Sequence, residues 1–468
     1  MERNKIYHGN NLDILRTFPD NSIDSIVTDP PYGLGKEPNA LEVLQSWITT
    51  GYHEIKGKGF MGKEWDSFVP QPVFWKECLR VLKPGGHLLS FAGTRTYDWV
   101  VMGLRIAGFE IRDQIAWVYG SGFPKSMNIE KAIEGQLVNG TSNKKDFSKL
   151  SGERLDRGDW GITKMTKEQG FRDKDYTHET KQTDRLGKLE ATTPEAKQWQ
   201  GWGTALKPAL EPIVMARKPL DGTVAQNVLK HGVGGINIDG CRVELSRDDD
   251  TKRVISGHKT LYIGGELEKN YGIENQSNRD LGRFPANFIH DGSEEVVKLF
   301  PNSDGAGGST PQSKITGYGK NISNGSYEYY GGDRNTFDSG SGSASRFFYT
   351  AKASQNERNF GLSQFEDDVT TDGRTKPIDN AFNRGETKRK NIHPTVKPID
   401  LMRYLVRLVT PKNGICLDPY MGSGTTAIAC KSEKINYVGC ELDEEYIKIA
   451  EARIKAEVVV YDIFDFMD

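Results

Sequence analysis

The sequence has too few cysteines, too widely spaced, to build either a disulfide framework or a structural zinc site. Five occur in 468 residues, Cys78, Cys241, Cys416, Cys430 and Cys440, and no two form a C-x-x-C pair. An odd, unclustered set excludes both uses. The eight histidines are equally dispersed, so no metal centre is expected. Long apolar runs are also missing. Nothing approaches the roughly 20 residues of a membrane helix, and no hydrophobic segment follows Met1–Lys5, so the cytoplasm is the expected compartment. Finally, charge of one sign is not in excess: 62 Lys and Arg stand against 64 Asp and Glu, for a net charge of −2. That total neither suggests nor excludes a nucleic-acid partner, because phosphate affinity follows local patches. One stretch is locally basic. Lys376, Arg384, Lys388, Arg389, Lys390, Lys397, Arg403, Arg407 and Lys412 are opposed by Asp379, Glu386 and Asp400. It reads as a solvated charged face or as a phosphate-facing one.

What is present is α/β patterning at both ends of the chain. Ser22–Thr28 reads as a strand ending at Asp29-Pro30-Pro31-Tyr32. Val73–Leu82 has helical spacing and meets a breaker at Lys83-Pro84-Gly85-Gly86, after which His87–Ala92 reads as a buried strand. A helix is expected over Thr96–Ala107 and a strand over Glu110–Tyr119. From about residue 140 to 200 the chain is polar with few aliphatics, which suits a mobile insertion that buries little. Leu210–Ala216 reads as a short strand. Residues 220–390 are irregular and include a Gly/Ser-rich stretch, Ser303–Ser345, interleaved with Tyr318, Tyr327, Tyr329, Tyr330 and Phe337. These aromatics suit base stacking or a small core cluster equally. Phe347-Phe348-Tyr349 with Lys352 and Arg358 reads either as a DNA-facing surface or as a buried strand with a charged turn. Regularity returns with a helix over Ile399–Val409, a strand over Gly414–Leu417, a helix over Thr425–Ser432, a strand over Asn436–Cys440 and a helix over Glu444–Glu457. The two ends are expected to form one sheet.

Three motifs carry chemistry. Thr28-Asp29-Pro30-Pro31-Tyr32-Gly33 falls where a strand gives way to a loop, the edge at which open α/β sheets collect ligands. An exocyclic amine on a base is a poor nucleophile because its lone pair is delocalised into the ring. The Asp29 carboxylate and the Pro30 carbonyl can accept its two N–H bonds and stabilise the charge that develops on nitrogen. Pro31 fixes φ and stiffens the loop, and Tyr32 offers a face for an extruded base. The second motif, Asp418-Pro419-Tyr420-Met421-Gly422-Ser423-Gly424-Thr425-Thr426, is a glycine loop between strand and helix that allows close approach of a nucleotide-like ligand. It lacks the G-K-[ST] of an ATP-binding P-loop. Glu441 ends the next strand, where an acid can hold ribose hydroxyls. The third, His393-Pro394-Thr395-Val396-Lys397-Pro398, precedes a helix; Thr395 and Lys397 can hold the carboxylate of an amino-acid moiety.

Together these residues resemble the β-class DNA amino-methyltransferases, which place D-P-P-Y early, H-P-T-x-K-P late and D-P-F-x-G-S-G-T last. Here Asp29–Tyr32, His393–Pro398 and Asp418–Thr426 follow that order. Glu211–Lys218 resembles the family's return strand, pairing with Ile115–Tyr119. The resemblance covers roughly the first 120 and last 75 residues. It implies an α/β, Rossmann-like S-adenosylmethionine-dependent methyltransferase sheet assembled from both chain ends, with an irregular insertion and a target-recognition region. The implied divisions are a catalytic half at 1–124, a polar insertion at 125–206, the return strand at 207–219, a recognition region at 220–390 and a cofactor-binding half at 391–468. Catalytic residues would be Asp29, Pro30, Pro31 and Tyr32. The cofactor, S-adenosyl-L-methionine, would meet Asn10, Asp29, Thr395, Lys397, Asp418, Pro419, Tyr420, Gly422, Ser423, Gly424, Thr425 and Glu441. Two positions depart from the family pattern: Tyr420 replaces Phe, and Asn10 occupies what resembles a G-D acid that contacts the cofactor adenine. The implied substrate is double-stranded DNA, with no metal and no membrane. D-P-P-Y is associated in this family with adenine N6. Cytosine N4 stays open, as do RNA as substrate and a non-catalytic DNA-binding role.

Overall fold

Apolar segments from the two chain ends interleave in a single sheet of nine strands. The structure is a computed structural model that describes residues 1–35, 37–55, 66–122, 126–139, 191–244, 282–304, 341–351, 355–366, 368–370 and 387–457. The sheet strands are β1 (Lys5–His8), β2 (Ile23–Thr28), β3 (Leu82–Phe91), β4 (Glu110–Val118), β5 (Leu210–Arg217), β6 (Phe288–His290), β9 (Tyr349–Thr350), β12 (Ile415–Asp418) and β13 (Asn436–Glu441). Two small pairs lie outside it: β7 (Asn302–Asp304) with β8 (Ser341–Ser343), and β10 (Asp368–Thr370) with β11 (Thr387–Arg389). The sheet order is β1-β13-β12-β2-β3-β5-β4-β6-β9. All neighbours are parallel except at β5, which runs antiparallel to both β3 and β4. The C-terminal strands β12 and β13 thus sit between β1 and β2, and the sheet is Rossmann-like and built from both chain ends.

Side chains alternate between two faces, as strand geometry requires. Val27, Leu89, Phe91 and Cys416 pack with α10 (Ile399–Val409), α11 (Thr425–Ser432) and α12 (Glu444–Ala456). Ile23, Ile26, Leu88 and Leu417 pack with α1 (Asn11–Arg16), α2 (Ala40–Thr49), α3 (Pro72–Val81) and α4 (Tyr97–Ala107). The helix α10 shows why these segments fold locally. Leu401, Met402, Tyr404, Leu405, Val406, Leu408 and Val409 are buried on one broad stripe, while Arg403 and Arg407, one turn apart, both reach Glu433. These two arginines therefore brace α10 against the end of α11. Short helices α7 (Val224–His231), α8 (Glu294–Val297) and α9 (Gln355–Arg358) complete this unit.

One expectation changes on contact with the structure. The Lys83-Pro84-Gly85-Gly86 breaker lies inside β3. Ile23 pairs with Leu82 and Ser25 with His87, so four residues bulge opposite Asp24 alone. Gly85 takes φ +77°, and Lys83 Nζ folds back onto Asp24 Oδ1 at 2.6 Å. A bulge, not a stop, satisfies the local backbone. The 220–390 region also contributes to the main sheet, since β6 pairs with β4 and β9 pairs with β6. Tyr349 accordingly stacks on Tyr404 of α10 at 4.3 Å, and Phe348 packs edge-on to Phe288 at 4.9 Å. Tyr318, Tyr327, Tyr329, Tyr330, Phe337, Lys352, Lys376 and Arg384 lie outside the described residues, as does most of the 140–200 segment.

Residues 121–209 form a second unit. It contains α5 (Ile129–Asn139) and α6 (Pro194–Lys197). Glu134 binds them together, accepting from the backbone N–H of Thr192 and Thr193 at 3.0 and 3.1 Å and from both hydroxyls.

Candidate active site

The parallel strands all end at one edge of the sheet, and the reversed β5 begins there. Asp29 after β2, Phe91 at the end of β3, Glu211 at the start of β5, Asp418 at the end of β12 and Glu441 at the end of β13 therefore share that edge. The loop after β2 is held at several points. The Thr96 hydroxyl donates to the Tyr32 carbonyl at 2.6 Å, and Gly33 N–H donates to Asp66 Oδ1 at 3.0 Å. Gly33 has φ +64°, and a Cβ there would stand 2.9 Å from the backbone nitrogen of Val69. Only glycine fits that approach.

Lys397 is at the centre of this loop's electrostatics. Its Nζ lies 2.9 Å from Asp29 Oδ2, 3.0 Å from Glu211 Oε2 and 3.0 Å from the Tyr32 hydroxyl. The ammonium also sits 4.8 Å from the Phe91 ring centroid and 5.3 Å from that of Tyr32, within cation–π range. Burial alone would lower its pKa, but the Asp29 and Glu211 carboxylates outweigh burial and hold it above the ordinary lysine value. The Tyr32 hydroxyl donates to Glu211 Oε2 at 3.0 Å, and burial followed by the Asp29 and Glu211 charges keeps it protonated well beyond the usual range. Lys397 was expected on the carboxylate of a bound amino acid. In this structure its ammonium faces Asp29, Glu211 and Tyr32. Asp29 Oδ1 is buried and has no hydrogen-bond partner.

The glycine loop is equally constrained. Asp418 Oδ1 accepts from the Thr28 hydroxyl at 2.7 Å and from Tyr420 N–H at 3.0 Å, and Oδ2 accepts from the Thr426 hydroxyl at 2.5 Å. Burial raises the Asp418 carboxyl to about 6 against the pull of those bonds. It ties β2, β12 and α11 together. Gly422 and Gly424 have φ of +53° and +84°; Cβ atoms there would meet His393 Nε2 at 2.7 Å and the Ala450 Cβ at 2.8 Å. Glu441 Oε2 accepts from Gly422 N–H at 2.7 Å, and Oε1 from Leu442 and Asp443 N–H at 2.9 Å. Pairing of His8 with Glu441 brings Gly9 and Asn10 to the same place. The Asn10 side chain caps α1, accepting from Leu12 and Asp13 N–H, while Asn11 Nδ2 donates to the Pro419 carbonyl at 3.1 Å. Tyr420 packs against Phe74 at 5.3 Å. His393 is neutral near pH 7, its pKa lowered to about 4 mainly by burial, and its ring bonds the carbonyl of Thr395.

Four side chains that build this site escaped the motif reading. Glu211 was read only as part of a strand, although an acid preceding the run P-I-V-M-A was its signal. Asp66, Thr96 and Arg453 stand far from any motif. Arg453 in α12 is fully buried and donates to the Ser423 carbonyl at 2.6 Å, its hydroxyl at 3.0 Å and the Thr425 hydroxyl at 3.2 Å. Among the described residues no group of three His, Cys, Asp or Glu could hold a metal ion. Nor is any described helix long and apolar enough to cross a membrane.

A sheet fed from both chain ends, with an acid-bearing loop and a glycine loop side by side at its carboxyl edge, defines a nucleotide-cofactor transferase class. The chain matches the DNA methylase family over residues 23–233 and 245–452, and it belongs to that family, whose methyl donor is S-adenosylmethionine. The type II methyltransferase M2.DpnII of Streptococcus pneumoniae is 34% identical over 90 residues, which cover 19% of this chain and 31% of that protein. The type II methyltransferase M.BglII of Bacillus subtilis is 29% identical over 142 residues, 28% of this chain and 33% of that protein. The chain thus spans about a third of the length of these curated relatives. Among solved structures, the M1.HpyAVI–SAM complex is 14% identical with a TM-score of 0.33, over 96% of this chain and 98% of that one.

Proposed function

We propose that this chain is a site-specific DNA methyltransferase acting on the exocyclic amine of a base flipped from double-stranded DNA, adenine N6. The observation that carries the reading is Asp29 Oδ1, a buried acceptor with no hydrogen-bond partner. A buried, unsatisfied carboxylate oxygen costs free energy unless a ligand fills it, and an amine N–H is the matching donor. The Pro30 carbonyl would take the second N–H, so the nitrogen lone pair is drawn out of the ring. Asp29 can also take up the proton that the amine loses on methylation. The Tyr32 ring, fixed at its hydroxyl by Glu211 and Lys397, offers a preset plane for the extruded base.

S-adenosylmethionine, when bound, supplies a methyl group on a sulfonium. The residues proposed to hold it are Asn10, Thr395, the Asp418–Thr425 loop and Glu441. Gly422 and Gly424 let the loop pass tightly over His393 and Ala450, and Glu441 supplies a carboxylate for the ribose hydroxyls. Recognition of the DNA sequence is assigned to residues 220–390.

Transfer of labelled methyl from S-adenosylmethionine to mixed-sequence double-stranded DNA, followed by nucleoside analysis, tests the reading. Label is expected in N6-methyl-2′-deoxyadenosine with wild-type protein and absent with Asp29→Ala. Label in N4-methylcytosine would keep the geometry and overturn the choice of base. Binding of S-adenosylmethionine without any label in DNA would move RNA or a non-catalytic role forward.

A further inference from the structure

We propose that Lys397 and Glu211 are positioning residues for Asp29 and Tyr32, a clamp in which one ammonium serves two carboxylates and leaves a single Asp29 oxygen for the substrate amine. The inference rests on the methyl-transfer reading of the site and goes beyond it by giving Lys397 a role apart from the cofactor.

The geometry is closed. Asp29 Oδ2, Glu211 Oε2 and the Tyr32 hydroxyl each lie within 3.0 Å of the same nitrogen, which uses all three ammonium hydrogens. Lys397 is 8% exposed, and Phe91 and Tyr32 flank its charge, so water competes little for these bonds. Two carboxylates drawn to one point repel unless a cation lies between them, and one of them then holds a proton near neutrality. A protonated Asp29 cannot accept an amine N–H at the oxygen that carries the proton. The clamp therefore sets a cation between the two carboxylates and fixes which Asp29 oxygen is free. Glu211 has a second task, because its bond to the Tyr32 hydroxyl sets the plane of that ring. Other titratable groups face the cluster. Tyr119, beyond β4, is raised to about 12 by burial and by Glu211, so it stays neutral. His393 on the Lys397 loop is neutral above about 4, and Asp418 behind Asp29 sits at about 6. Asp418 is common to every variant below, so comparison among them isolates the clamp.

The test combines kinetics at saturating DNA with calorimetric binding of S-adenosylmethionine. Lys397→Met is expected to lower kcat at pH 7 about 100-fold and to move the acid limb of the rate profile up by about one unit or more. Adding Glu211→Gln removes the repulsion. The limb is expected to return toward its wild-type position, with kcat recovering about tenfold. The dissociation constant for S-adenosylmethionine is expected to stay within about threefold throughout. Weaker donor binding in Lys397→Met with kcat unchanged at saturating donor would overturn the proposal, because Lys397 would then be holding the donor's carboxylate. Lysine side-chain nitrogen NMR gives a readout independent of turnover. One protected ammonium signal is expected to vanish in Lys397→Arg and to shift in Glu211→Gln, and its absence sinks the clamp even if the enzyme is active. If wild-type protein transfers no methyl while that signal is present, the activity reading fails and the clamp stands.

Discussion

His87 and Arg453 are buried side chains outside the motifs, and each sets a measurable property of the molecule. His87 is 5% exposed in β3, and its pKa is lowered to about 4 by burial, then by Arg217 and Arg112. In the unfolded chain it titrates near 6.5. Between those values the unfolded chain carries a proton that the folded one does not. Stability from neutral His87 is thus complete above about pH 6.5 and is lost as pH falls toward 4, about 1 kcal/mol of it by pH 5.5. Unfolding free energies from urea titrations at pH 7.5 and 5.5 should differ less in His87→Gln than in wild type by that amount; equal differences would refute the assignment. Arg453 bonds the backbone and hydroxyls of the glycine loop from inside the core. Arg453→Met leaves those acceptors unsatisfied in a dry site and should cost about 2–4 kcal/mol. A matching rise in the dissociation constant for S-adenosylmethionine is expected, and unchanged stability in denaturant would show that the loop holds itself.

At the scale of elements, the reading of sequence succeeded where one local rule governed the outcome. The stripe of Ile399–Val409 and the span Thr425–Ser432 form helices with the expected limits, because apolar period and flanking turns agree. The Lys83–Gly86 segment was misread because local breaker chemistry met a tertiary constraint: β2 and β5 flank the strand on both sides and carry it through the bulge. The clamp was only half legible. Asp29, Tyr32 and Lys397 lie in motifs, but which partner Lys397 takes depends on the reversal of β5, which puts Glu211 at the catalytic edge. No spacing in the sequence encodes that. The insertion follows the same lesson on a smaller scale. Glu134 gathers Thr192 and Thr193 across 58 residues of chain and so fixes the start of α6. Glu134→Ala should loosen α5 and α6 selectively. Hydrogen exchange in these two helices is expected to rise at least tenfold while β2, β3 and β12 keep their protection, and a uniform rise across the sheet would contradict that.

On the scale of the whole molecule, the interleaved sheet makes the two chain ends mutually dependent. β12 lies against β2, with the Thr28 hydroxyl on Asp418 at 2.7 Å and Ile415 N–H on Asp24 Oδ2 at 2.7 Å. Removing residues after 120 strips β2 of one neighbour and β3 of the other. It also uncovers the face of β2 and β3 that Val27, Leu89 and Phe91 share with α10 and α11. Two open edges, one that pairs parallel and one antiparallel, and an exposed apolar face favour association over folding. Fragment 1–120 alone is therefore expected to elute as aggregate and to show no cooperative thermal transition. Supplying residues 207–468 in trans restores β5, β12 and β13, and the pair is expected to unfold in one transition. A cooperative transition from 1–120 alone would mean that the catalytic loop sits on an autonomous half-sheet. The register between Asp29 and the glycine loop would then be set by docking of two folded parts, whereas a single transition of the pair means that the loops joined by the Thr28–Asp418 bond form together.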